Sequence, residues 1–182
     1  MLKTTIVNFY GGPGCGKSTM AAAVFAELKW AGVNCELVTE YAKTKVWEES
    51  FRVFESQMFV SANQIYNIAT VAKHVDLIIT DSPILLGTAY SDGDTLLNEL
   101  IKKEYAKYNN INIFLSRVKK YVGIGRIQTE EQAIEKDKEI RQILLDTQEP
   151  FYNLDGAKTS VEGIVMMLLN RREYETEERY EY

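Results

Sequence analysis

Cysteine, histidine and proline are scarce in this chain, and each scarcity excludes something. The two cysteines, Cys15 and Cys35, have no CxxC spacing, which argues against a disulfide framework and a zinc site. One histidine, His74, leaves no histidine metal cluster. Three prolines and eleven glycines exclude a collagen-like or low-complexity sequence. Apolar runs such as Ile164 to Leu169 are far too short to span a bilayer. Lys3 and the brief stretch Ile6 to Tyr10 do not make a signal peptide. These absences together predict a reducing, cytoplasmic setting without a membrane partner. Positive charge is also in deficit: the formal net charge is −5. Contact with a polyanion therefore needs a local basic patch.

What remains is ordinary globular material. The 182 residues are 46% hydrophobic and 26% charged, enough for one domain with a real core. Strand-like and helix-like segments alternate. Thr4–Tyr10, Cys35–Thr39, Val75–Thr80, Ile111–Leu115 and Phe151–Leu154 read as strands. Ser18–Ala31, Leu96–Tyr108, Thr129–Thr147 and Ser160–Arg171 read as helices, and Lys45–Lys73 as two more. Thr129 followed by Gln132 is a capping-box pattern. The alternation predicts a three-layer α/β fold, a five-stranded parallel sheet with helices on both faces. Residues 1–170 form the domain, with substrate-side helices in 40–74 and the lid in 116–128. Residues 171–182 are a charged tail, read as a solvated helix extension or a frayed end.

Gly11-Gly12-Pro13-Gly14-Cys15-Gly16-Lys17-Ser18 fits G-x-x-x-x-G-K-[ST], between a buried strand and a helix. Glycines let backbone amides turn inward around phosphates. The helix that starts there adds its own amides and dipole. This assigns Gly12, Pro13, Gly14, Cys15, Gly16, Lys17, Ser18 and Thr19 to nucleotide binding, with Cys15 as filler rather than nucleophile. Lys17 reaches the β- and γ-phosphates, and Ser18 ligates Mg²⁺. Asp81, ending the apolar strand VDLIIT, either holds Mg²⁺ through water or takes the acceptor's proton. Asp76 starts the same strand at the other end of the sheet, as a surface residue.

No N-K-x-D occurs, so a guanine-reading GTPase is not expected, and the length leaves no room for a full AAA+ ATPase. A compact kinase remains, with an arginine-bearing lid. Leu115 to Arg126 supplies Arg117, Lys119, Lys120 and Arg126 with no acid among them. Arg117 and Arg126 are the better phosphate ligands, because a guanidinium forks phosphate bidentately. Gly123 and Gly125 give the segment hinge freedom.

FYGGPGCGKST, LVTEYAK, IITDSPILLG and SRVKKYVGIGRIQTEEQA together resemble small bacteriophage-type phosphate-loop proteins, labelled AAA-type ATP-binding and kinase-like. The resemblance runs from about Ile6 to Gly156. More distantly, the chain is similar to thymidylate and deoxynucleoside kinases, and to phage enzymes that phosphorylate 5-hydroxymethyluracil in DNA. Lys120 and Gly123 replace the prolines of that group's lid pattern. The resemblance implies the phosphate-loop kinase fold, with the sheet in order 2-3-1-4-5 and a short lid, ATP and Mg²⁺ as cofactors and, for a phage-encoded chain, the host cytoplasm. It also implies that Glu40, just past the second strand, is the base or orienting group for the acceptor, a role for which Asp81 competes. The loop at Asp155-Gly156 passes the adenine by the same likeness.

Tyr41, Gln57 and Arg52 are substrate-binding candidates, with Gln64 beside Gln57 as a second amide able to read a base edge. Arg52 either meets an acceptor phosphate or pairs with Glu48 or Glu49. Asp137 interrupts an apolar helical stripe and pairs with Arg141 or with a lid cation. The leading expectation is phosphotransfer from ATP to a hydroxyl or phosphate of a nucleoside-type acceptor. A DNA kinase and an ATP-binding switch without transfer stay open, as does a homodimer.

Overall fold

A computed structural model describes residues 4–122 and 128–177, with side chains followed as far as Arg171. Five strands, β1 (Thr5–Tyr10), β2 (Cys35–Val38), β3 (Leu77–Thr80), β4 (Asn109–Ser116) and β5 (Phe151–Asp155), form one parallel sheet. Its order is β2-β3-β1-β4-β5, as the resemblance to phosphate-loop kinases implies. The helices are α1 (Lys17–Trp30), α2 (Tyr41–Trp47), α3 (Gln57–Val71), α4 (Thr95–Tyr105), α5 (Glu130–Asp146) and α6 (Thr159–Glu177).

β1 lies at the centre and is buried on both faces, which is why Ile6, Val7, Phe9 and Tyr10 are apolar on both sides instead of alternating. Val7 and Phe9 face Val24 and Leu28 of α1 and Ile164 and Leu168 of α6. Ile6 and Tyr10 face Ile68 of α3, Ile101 of α4, and Ile140 and Leu144 of α5. Asn8, in the middle of this strand, is only 1% exposed. Its amide donates to Asn110 Oδ1 at 2.9 Å and Asn112 Oδ1 at 3.1 Å, and Asn112 in turn meets the Tyr105 hydroxyl. Those contacts satisfy the buried amides.

Three elements depart from expectation. The helical stretch read over 45–73 starts earlier and breaks. α2 begins at Tyr41 and stops at Trp47, Glu49 takes a left-handed φ of 54°, and Phe51–Glu55 winds as a 3-10 helix. Ser56 then caps α3 by accepting from the Phe59 amide at 3.3 Å. A second 3-10 helix, Ile84–Tyr90, follows Pro83 where no helix is evident in the sequence. Finally, α6 continues through residue 171 to Glu177, across the boundary read at 170.

Because all five strands run the same way, the segments leaving β1, β2, β3 and β4 emerge at one edge of the sheet. Those segments carry the phosphate loop, Glu40, Asp81 and Arg117 respectively.

Candidate active site

The phosphate loop bends because its glycines permit it. Gly11, Gly14 and Gly16 have φ of 134°, 81° and 110°, which side chains rarely adopt. Its neighbours leave no room either. A Cβ on Gly12 would lie 2.4 Å from the Ala133 carbonyl oxygen of α5. Gly16, in the left-handed region, is the N-cap residue of α1. The loop amides divide into two sets. Gly12 N–H donates to Asp137 Oδ1, Pro13 has none, and Cys15 N–H donates to Gly12 O at 3.4 Å. The amides of Gly14, Gly16, Lys17 and Ser18 remain for an anion, the last two at the open N-terminus of α1. Lys17 Nζ donates to Gly11 O at 2.7 Å and Gly12 O at 3.2 Å, lying back across the loop it belongs to. Cys15 is buried in the α1-side core.

Asp81 follows β3, which pairs with β1 so that Asn8 opposes Thr80. This register sets Asp81 beside the end of β1, where the loop begins. Asp81 is 2% exposed, and its Oδ1 meets no partner among the described residues. A buried, unpartnered carboxylate oxygen is costly, so it needs a ligand. Together with the Ser18 hydroxyl in the first turn of α1, this fits Mg²⁺, which takes one or two protein oxygens and leaves the rest to phosphate and water.

Arg117 leaves β4 and turns over the loop. Its Nε and Nη2 donate to Asp137 Oδ2 at 3.1 and 2.9 Å, so Asp137 pairs with a lid cation. Arg141 instead meets Asn153 Oδ1 and stacks near Phe114 and Phe151. Tyr121 lies under Arg117 and against Gly14, and its hydroxyl donates to the Gln128 carbonyl. That bond joins two residues that flank the middle of the lid. Arg126, Gly123 and Gly125 lie outside the described residues.

From the loop a cleft of about 550 Å³ runs toward α2, α3 and the Ile84–Tyr90 turn, a size suited to a small-molecule ligand. Pro13, Gly14, Gly16, Lys17, Ser18 and Thr19 line its phosphate end. Glu40, the N-cap residue of α2, and Gln57 line the other end with apolar Val46, Trp47 and Phe54. Tyr41 and Arg52 do not line it. Tyr41 packs edge-on to Phe59, and Arg52 is exposed on the 3-10 turn. Gln64 lines the wall but is spent on backbone. It accepts from the Tyr41 amide at 3.0 Å and donates to Ser82 O at 3.0 Å. Asp155 is exposed, and the next residue, Gly156, packs on the Cys15 carbonyl so closely that a Cβ would lie 2.2 Å away.

Two cleft residues escape a reading of the sequence. Tyr90 closes the far side, and Lys136 of α5 lies 4.7 Å from its ring while donating to Ala89 O at 2.6 Å. Burial, and then the nearby Glu40 carboxylate, hold the Tyr90 phenol protonated well above its ordinary range. Lys136 stands one residue before Asp137, so the helical stripe around Asp137 was the only available signal.

No curated protein matches this chain. Among solved structures, two of deoxyadenosine kinase from M. mycoides are similar. The one with bound dATP has a TM-score of 0.55 at 20% identity, covering 91% of this chain and 99% of that one. The one with dCMP and a flexible dCDP bound has a TM-score of 0.55 at 18% identity, covering 93% and 99%. At that identity the likeness speaks to the fold, which is that of a phosphate-loop kinase. A family model described as an AAA domain matches residues 6–162, a span that takes in the phosphate loop, Asp81, the Arg117–Asp137 pair and the cleft, and the chain belongs to that family.

Proposed function

We propose that the protein is an ATP- and Mg²⁺-dependent phosphotransferase that moves the γ-phosphoryl group to a nucleoside- or nucleotide-type acceptor. One observation carries the reading: a single cleft joins the phosphate loop to a half-apolar chamber with Glu40 and Gln57 in its wall. A protein that only held ATP would not need that cleft to run on to Glu40 and Gln57.

The chemistry follows from what each residue can do. The amides of Gly14, Gly16, Lys17 and Ser18 bind the phosphates, and the Lys17 ammonium swings from the Gly11 and Gly12 carbonyls to the β- and γ-oxygens. Ser18 and Asp81 would hold Mg²⁺, which would supply positive charge against the transferred group. Arg117 and Arg126 add positive charge against a loose transition state. Glu40, lining the cleft, accepts the proton of an acceptor hydroxyl, while buried Asp81 is left for the metal. The apolar wall of Val46, Trp47 and Phe54 suits the face of a base, and Gln57 its edge. The loop at Asp155 lies against the phosphate loop through Gly156, where adenine passes in this reading.

The test is ATP consumption with Mg²⁺ and a panel of nucleosides, nucleoside monophosphates, nicotinamide riboside, and normal or hydroxymethylated DNA, with Lys17→Ala as blank. One small acceptor raising turnover well above the acceptor-free rate is the expected result. Stimulation by hydroxymethylated duplex alone would reassign the protein as a DNA kinase. Tight ATP binding with no stimulation by anything would leave an ATP-dependent switch.

A further inference from the structure

Asp137 has no role in the scheme above, yet its carboxylate sits where two functional parts meet. One oxygen, Oδ1, accepts from the Gly12 amide of the phosphate loop. The other, Oδ2, accepts from Arg117 Nε and Nη2. The pair is well buried, with 12% of the Arg117 and 17% of the Asp137 side chain exposed. A buried ion pair of this kind is poor evidence of stability, because desolvation offsets the attraction. Its use has to be sought elsewhere.

The unpaired atom supplies the use. Two of the three guanidinium nitrogens are committed. The third, Arg117 Nη1, is buried and has no hydrogen-bond partner among the described residues. A buried cationic N–H without an acceptor is disfavoured. Nη1 lies 3.3 Å from the point where a Cβ on Gly14 would stand, so it overhangs the residue whose amide opens the anion-binding set. The Tyr121 ring backs both Gly14 and the guanidinium. Nor does Asp137 compete with a bound phosphate for loop amides. It takes Gly12 N–H, which precedes Pro13 and lies before the set that faces the anion.

We infer that Asp137 is a positioning residue of the phosphate site. With one carboxylate it clamps the loop through Gly12 and turns Arg117 so that the free N–H on Nη1 serves the terminal phosphate of a nucleotide held by Gly14–Ser18. The inference rests on the nucleotide reading of this site, but not on transfer taking place. It means that the first lid arginine is preset by the helix after the lid and does not wait for closure. Fixing a donor beforehand avoids reorganisation at the moment of reaction.

The experiment is calorimetric binding of ADP and of a non-hydrolysable ATP analogue, with Mg²⁺, to the full-length protein. It compares wild type, Arg117→Gln, Asp137→Ala, Asp137→Asn and the Arg117→Gln/Asp137→Asn double variant. Each single variant should lose about tenfold of the preference for the analogue over ADP, the size of one charge-assisted hydrogen bond. ADP affinity should stay within about threefold, and the double variant should lose no more than either single one. Where an acceptor is known, kcat should fall about 10²-fold with acceptor KM unchanged. Asp137→Asn keeps an acceptor for the Gly12 amide, so it carries the test if Asp137→Ala does not fold. The inference is overturned if the Asp137 variants lose melting temperature but keep the preference, if ADP and analogue weaken equally, or if the effects add. A wild type that discriminates the two nucleotides but transfers to nothing would sink the kinase reading and leave this one to the binding data. A wild type that binds neither nucleotide overturns both.

Discussion

At one end of the cleft, Gly11 to Ser18 is braced on every side: by β1 before it, α1 after it, Asp137 above it and Gly156 beside it. At the other end, the two-turn helix α2, the 3-10 turn Phe51–Glu55 and the first turn of α3 carry Trp47, Phe51, Met58 and Phe59, all large, apolar and at least 46% exposed. The phosphate end must hold one geometry, since donors aimed at developing charge lose their effect when misplaced by an ångström. The acceptor end needs only shape and apolar surface, which short irregular turns supply.

The largest expected effect lies at the braced end. Lys17→Ala should lower kcat by at least about 10³-fold with the fold intact, checked by steady-state kinetics and circular dichroism. Turnover within tenfold of wild type would break the contrast, because the loop would then not be where catalysis resides. Next comes the junction of the two ends. Glu40→Gln should cut kcat about 10²-fold for a hydroxyl acceptor, with ATP affinity unchanged. An equal loss in Asp81→Asn with Glu40→Gln silent would move the base to β3. Bracing itself is tested by Gly156→Ala. The added methyl meets the Cys15 carbonyl, so we expect about 1–3 kcal/mol of destabilisation, a melting point lower by several degrees and weaker ATP binding.

Further along the cleft the effects shrink. Gln57→Ala should raise acceptor KM roughly three- to tenfold and leave ATP alone, whereas Arg52→Ala, off the cleft, should change stability by less than about 0.5 kcal/mol. Smallest and slowest to appear is a pH effect on the sheet beneath both ends. Burial raises Tyr105 to about 12 and holds Tyr10 well above its ordinary value, so folding favours the protonated phenols. That contribution is complete below pH about 10, the ordinary tyrosine value, and is lost as pH climbs through the folded-state values. Alkaline titration should show their tyrosinate absorbance only together with unfolding.

What the sequence makes legible follows the same division. The phosphate loop, Asp81 and the Thr129–Gln132 capping box are local patterns, and the structure contains each element where the pattern puts it. The parallel sheet follows from alternating strands and helices, whereas its order is legible only through the kinase resemblance. The acceptor end resists reading because 3-10 turns have no sustained period. PILLGTAY reads as a run of apolar residues, and Phe51 and Phe54 imitate helical spacing. Tyr90 and Lys136 are brought together from segments far apart in the chain, and nothing local announces that. Asp137 was visible as a polar residue on an apolar stripe, but its partners come from the loop and from β4.

Gln64 ties these two halves together. By bridging the Tyr41 amide and the Ser82 carbonyl, it fastens the start of the acceptor wall to the strand end that bears Asp81. The wall is therefore an interchangeable fitting on a fixed mount. On the proposed reading, changes in side chains beyond the tie, such as Trp47, Phe54 and Gln57, would alter the acceptor taken without retuning the phosphate chemistry. A change at Gln64 would shift the mount itself, so a lineage diversifying its substrates on this scaffold has reason to leave that one amide in place.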